Sequence, residues 1–183
     1  MKKNYRTSVI LGLLTLLSAE HVIAGNRPGA TTLTLAGAYY HFAPSRHLDN
    51  TVLPNVALAY DFTDRWAIEG GVGAVNTNQK LGGVGVHGFL YTVDGIYRLL
   101  PHQQFEPYVI AGLGLLAMRP NGLNSEHQGN INAGVGTQVF FGDMIALRGE
   151  IRDLYTTTGA GKNDYMINFG VSFLMGGTSN AKS

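Results

Sequence analysis

The chain has no cysteine among its 183 residues, and charged residues make up only 14% of it. Without cysteine there is no disulfide to stabilise an exported domain and no N-terminal Cys to carry a lipid. The net charge of +1 gives no general attraction to nucleic acid, so a nucleic-acid partner is not expected. Long apolar runs are also missing. "YVIAGLGLLAM", Tyr108 to Met118, is about half the roughly 20 residues that a spanning helix requires, and each of its two glycines would cost a helix on the order of 1 kcal/mol. It is close to the 9–11 residues of a tilted membrane-spanning strand.

The beginning of the chain carries a different pattern. In "MKKNYRTSVILGLLTLLSAEHVIA", Lys2, Lys3 and Arg6 precede an apolar run from Val9 to Leu17, with Val22 and Ala24 placed as a cleavage-site pair. This predicts a secretory signal peptide over residues 1–24 rather than a membrane anchor, because the run is too short to span. The remaining length suits one domain, predicted over 25–176, with a short tail at 177–183.

Period-two alternation appears near 31–42, 54–62, 65–75, 84–98, 106–118, 129–141, 144–156 and 164–175. In the last of these, Tyr165, Ile167, Phe169, Val171 and Phe173 share one face, while Met166, Asn168, Gly170 and Ser172 share the other. Ile131, Ala133, Val135, Val139 and Phe141 likewise oppose Asn132, Gly134, Gly136 and Gln138; Trp66, Ile68 and Val72 oppose Glu69, Gly71 and Gly73. An aromatic face backed by a small or polar one suits lipid outside and a polar lumen inside. Glycine, 25 residues in all, recurs on the inner face, where an eight-stranded barrel has little room. In "TTLTLAGAYYHF" the adjacent Tyr39 and Tyr40 leave the facing open.

These features predict an all-β fold, an eight-stranded antiparallel up-and-down transmembrane β-barrel. A soluble barrel with the same alternation would need a wetter surface than 14% charge supplies, against roughly 25% in typical soluble domains. Tight turns at 61–65 and 140–144 alternate with longer polar connections at 43–53, 76–83, 119–128 and 157–163, the outer-membrane pattern of short periplasmic turns and longer outer loops. The turn at 98–107 is long for its side.

By parity, Glu69, Asp94, Gln138, Arg148, Glu150 and Arg152 face the lumen. Charges at membrane depth are tolerated when they face an interior and pair, and a bidentate Glu69–Arg148 contact suits a narrow lumen. Such a cluster either fills the barrel and fixes its register or acts as a gate for small ions. Asp153 falls on the lipid face, which requires a place near the outer interface. His41, His47, His87, His102 and His127 lie singly, with no recognisable nucleophile or metal-ligand spacing. No enzyme, cofactor or metal is therefore expected; a lipid-modifying enzyme would need His41 or His87 beside a Ser, Thr or acid.

"LAYDFTDRWAIEGGVG", "FEPYVIAGLGLL", "IALRGEIRDLY" and "INFGVSFLMGG" together resemble the transmembrane domain of OmpA-like outer-membrane proteins. The resemblance covers nearly the whole chain after residue 24. It implies an outer-membrane location in a Gram-negative bacterium, and that Glu69 and Arg148 correspond to a lumenal ion-pair gate. Gln138 stands where the family often has an acid, and Asp94 where it often has a basic partner. Phe173 resembles the terminal aromatic signal read by the barrel-assembly machinery. After Met175 only "GGTSNAKS" follows, so no peptidoglycan-binding domain is expected. The implied role is a structural or surface-interaction protein whose partners are outer-membrane lipids and, through loops such as 45–52 and 119–128, host or phage surface molecules. A narrow ion-conducting pore is the alternative.

Overall fold

The computed structural model describes residues 25–80, 84–120, 126–157 and 162–177; the predicted signal peptide lies outside the described residues. Eight strands follow one another as β1 (Ala30–His41), β2 (Thr51–Asp61), β3 (Trp66–Asn78), β4 (Gly85–Arg98), β5 (Phe105–Pro120), β6 (Glu126–Phe140), β7 (Ile145–Thr156) and β8 (Lys162–Gly176). Each pairs antiparallel with its neighbour, and β8 closes on β1 from Ala30↔Gly176 to His41↔Tyr165. All eight predicted segments are strands. Closure leaves no free edge, so every strand finds its backbone partners within the protein, as a bilayer demands.

Alternation decides what each strand shows to lipid. Leu58, Val72, Val93, Leu113, Val135, Ile151 and Phe169 point outward and are 43–68% exposed. Aromatic pairs mark the ends of this apolar band. Tyr60 packs on Phe62 and Trp66 on Tyr97 toward the short-turn end, while Phe89 and Tyr91 lie toward the other. This is the girdled outer surface of an outer-membrane barrel. Register resolves β1: Tyr39 is 45% exposed, whereas Tyr40 is 1% exposed and enters the lumen.

The two ends differ less than the sequence suggests. One carries the turns 62–65, 99–104 and 141–144, with β1 starting and β8 ending beside them. The other carries 42–50 and the paired strand ends Asn78↔Gly85, Met118↔Glu126 and Thr156↔Lys162. The predicted long connections shrink because the strands run on: β3 reaches Asn78, β5 reaches Pro120 and β6 begins at Glu126. Cross-strand pairing such as Asn78↔Gly85 and Met118↔Glu126 continues beyond the apolar alternation. Ladder hydrogen bonds need only backbone, so polar residues extend a strand into water.

Two connections fold inward. Between β1 and β2, a 3-10 turn at Pro44–Arg46 ends on His47, with φ 53°. Phe42 and Leu48 are buried beneath it, and Leu48 bridges to Gln79. The turn at 99–104 is long because it wraps a carboxylate: the His102 amide donates to Glu106 at 2.9 Å.

Candidate functional site in the barrel lumen

Five of the six lumenal residues singled out in the sequence meet at mid-barrel. Arg148 donates through Nη1 to Glu69 Oε2 and through Nη2 to Glu69 Oε1 at 2.9 Å, a bidentate pair. The same Nη2 donates to Glu150 Oε2 at 2.7 Å. Arg152 donates through Nε to Glu150 and through Nη1 to Asp94, and its Nη2 reaches Glu69 Oε1 at 3.2 Å. Side-chain exposure of these five does not exceed 6%. Arg148, Glu150 and Arg152 stand at every second position of β7, so one strand presents all three to the same side.

Gln138 belongs elsewhere. It is opposite Arg148 in register, but its amide turns toward the short-turn mouth, accepting from Asn26 at 2.7 Å and facing Ser172 at 3.5 Å. The central guanidiniums are taken up by carboxylates and, at Arg148 Nε, by the Tyr108 hydroxyl; a carboxylate holds a charged donor more strongly than a neutral amide does.

Neutral side chains complete the central layer. Tyr108 accepts from Arg148 Nε and donates to Glu150 Oε2, both at 2.7 Å. Its ring lies under the Arg148 guanidinium, 5.1 Å from centroid to Cζ, and across Gly136, where a Cβ would collide with it. Asn132 donates to Asp94 at 2.8 Å, Asn168 to Glu150 at 3.1 Å, and Asn55 to Asn168 at 3.1 Å. Strands β2 through β8 all contribute to this network. A one-residue slip of any of them would turn its polar groups into lipid, so the network pins register. Tyr108 escaped the sequence reading, because an aromatic in an apolar run gives no sign of a polar task.

Above and below, the lumen is closed by different chemistry. Toward the outer end, Tyr40, Phe42, Leu53, Val75, Leu90 and Leu116 pack with other buried apolar side chains into a plug. The expectation of a small or polar inner face therefore fails in the outer half. Here the interior is filled as a core, because eight strands leave space only for side chains. Arg46 caps the plug with its side chain 2% exposed. It donates to Asp164 at 2.8 Å, and to Gln128 and Thr156 at 2.5 Å. Asp164 also accepts from Tyr40 and from the Ala43 amide.

The opposite mouth holds Asn26, Asp61, Arg98 and Glu106, all buried. Arg98 pairs with Asp61 at 2.6 Å. Both end clusters escaped the sequence reading, since their residues lie at strand ends and in connections where alternation carries no information.

A cavity of about 30 Å³ remains beside the central charges, lined by Glu69, Arg148, Glu150 and Asn168 and bounded by Leu53 and Met166. It has room for about two waters, not for a continuous column. Asp153 lies outside on the lipid side, three residues before the last pair of β7 with Asn163 donating to it at 3.5 Å, close to the outer end. Phe173 faces outward near the end of β8, 37% exposed. On the outer surface, His87 Nδ1 lies 2.7 Å from Asn76 Oδ1; among the described residues no hydroxyl or acid partners it.

This geometry has close counterparts among solved structures. The N-terminal β-barrel domain of Pseudomonas aeruginosa OprF superposes with a TM-score of 0.65 at 19% identity, covering 82% of this chain and 100% of that one. Neisserial surface protein A superposes at 0.60 with 16% identity, covering 80% and 98%. Yersinia pestis Ail superposes at 0.56 with 15% identity, covering 81% and 99%. No curated protein matches the chain. The sequence model of the outer membrane protein beta-barrel domain matches residues 9–173. Lipid-facing girdles, a closed eight-strand sheet and that match agree, and the chain belongs to the family of outer membrane protein β-barrel domains, located in the Gram-negative outer membrane.

Proposed function

We propose that this protein is a closed, non-conducting barrel that serves outer-membrane integrity, with exposed rims available for surface contact. The observation that carries this reading is the filling of the lumen: a charge network at mid-barrel lies against an apolar plug capped by Arg46. Moving the Glu69–Arg148 pair would open only one of these barriers. The OmpA-like gate therefore lacks a path, and Glu69, Asp94, Arg148, Glu150 and Arg152 serve as a register lock, with Gln138 in the layer beneath.

Planar-bilayer recording tests this. The refolded protein and its Glu69→Gln and Arg148→Gln variants are all expected to be silent, because the plug is intact in each. Ion conductance in the parent that either variant changes would overturn the reading in favour of a gated pore.

A catalytic role has little support: His87 is held by an amide rather than by a nucleophile or acid. Phe173 is assigned to recognition by the barrel-assembly machinery because it is aromatic, outward and near the end of the last strand. Surface contact with host or phage molecules is favoured by one neighbour, Ail, which was crystallised with the heparin analogue sucrose octasulfate. Deleting 45–52 is a poor test of adhesion, since Arg46 and Leu48 seal the mouth. Substituting the exposed His87 and Arg119, which pair across β4 and β5, leaves the seal intact; a surface role there predicts reduced cell binding by a folded barrel.

A further inference from the structure

The mouth at the short-turn end has an unbalanced set of charges. Asp61 and Glu106 share one guanidinium, Arg98, which bonds Asp61 at 2.6 Å and keeps its Nε 3.7 Å from Glu106 Oε2. Asp61 Oδ2 and Arg98 Nε and Nη1 are buried with no hydrogen-bond partner among the described residues. Of these only the Asp61 oxygen accepts, the two Arg98 nitrogens being donors, so the opening for a cation lies in the charge balance of two carboxylates to one guanidinium.

Residues 25–29 cross this mouth as a strap. Asn26 is fully buried and donates from Nδ2 to Glu106 Oε2 at 2.8 Å and to Gln138 at 2.7 Å. The Gly29 amide donates to the Asp61 carbonyl at 2.8 Å. At the start of the strap, Glu106 Oε1 accepts from the amides of His102 at 2.9 Å and Asn26 at 3.3 Å. A Cβ on Gly25 would fall 2.5 Å from that oxygen and 3.0 Å from His102 Cα. Standard backbone dimensions then place the Gly25 nitrogen within about 5 Å of the carboxylate.

The predicted leader ends at Ala24. Hydrolysis of the Ala24–Gly25 peptide bond by a signal peptidase consumes one water, leaving a carboxylate on Ala24 and an amine on Gly25. At neutral pH that amine is largely protonated. We propose that the mouth is a built seat for this new N-terminus, with the Gly25 ammonium pairing with Glu106 and bringing the Asp61–Arg98–Glu106 set to neutrality. The inference rests on the leader reading. It gives glycine at position 25 a specific reason, because any larger residue would push the seat apart. It also makes leader removal the step that locks the strap across the barrel floor.

The test uses the chain beginning at Gly25, refolded in detergent with its amine either free or acetylated, in the parent and in Glu106→Gln. Acetylation is expected to lower the urea midpoint of the parent and to have much less effect in Glu106→Gln. In the folded parent, acylation of the Gly25 amine should run at least tenfold slower than in the unfolded chain, as read by peptide mass. Equal midpoints for the free and acetylated parent, or acylation at the unfolded rate, would overturn the seat. If Glu106→Gln does not fold, Gly25→Ala with a free amine replaces it; full retention of amine protection there would also overturn the proposal. The mass of the chain from outer membranes tests the processing half separately, and a start at another residue refutes it whatever the refolded chain does.

Discussion

Replacing Arg148 by alanine removes the hub of the central network. The guanidinium supplies two hydrogen bonds to Glu69, one to Glu150 and one to Tyr108, with its side chain only 6% exposed. Three carboxylates would then share Arg152 alone. Removing one partner of a buried ion pair costs about 3–5 kcal/mol, because the remaining charge stays desolvated. Arg148→Ala is therefore expected to lower unfolding stability by that amount, and Glu69→Gln by less, since Glu150 still engages Arg148. The double variant should fall short of the sum by about 0.5–3 kcal/mol, the coupling typical of residues in one network. Urea unfolding in phospholipid vesicles, followed by gel mobility and by the single Trp, Trp66, provides the assay. Trp66 faces outward beside Tyr97, so its emission reports the lipid surroundings rather than the substituted site. A loss below about 1 kcal/mol for Arg148→Ala, or strict additivity of the pair, would refute a load shared through the guanidinium and would place water around these charges.

Three further outcomes follow from packing and position. Gly136→Ala should cost about 1–3 kcal/mol, since its methyl collides with the Tyr108 ring, and the same unfolding assay measures it. Phe169→Arg should cost about 2–4 kcal/mol, because Phe169 faces lipid at mid-strand between Gly37 and Gly149, while Phe62→Arg beside the mouth should cost about 0–1 kcal/mol. Asp164→Asn should weaken the outer cap by about 1.5–3 kcal/mol through its charged hydrogen bond with Arg46 and should expose residues 42–50 to added protease, read by fragment mass.

The layered lumen explains how a chain without disulfides holds one register in a membrane. Lipid rewards apolar side chains on the outer face wherever they stand, so the exterior says little about alignment. Specific alignment comes from inside, where Glu69 and Asp94 stand opposite each other in register and need both arginines of β7 between them. Like charges so placed repel unless cations intervene, and that requirement ties β3 and β4 to the far side of the barrel.

By itself the sequence determined the strand count, the closed transmembrane architecture and the inward direction of Glu69, Asp94, Gln138, Arg148, Glu150 and Arg152. All of these follow from a period of two, which any strand expresses through its own neighbours. The Glu69–Arg148 contact was also legible, as a bidentate guanidinium–carboxylate pairing suited to a narrow interior. Only the tertiary structure decided how high along the axis each inward side chain stands. Gln138 and Arg148 are partners in register, yet they serve different layers, because strand tilt and side-chain reach assign height after closure. The inner apolar plug, the inward fold of 42–50 and the meeting of Asn26 with Glu106 across 80 residues share that origin. They arise where strands distant in sequence are brought around one axis, and alternation within a strand carries no information about that meeting.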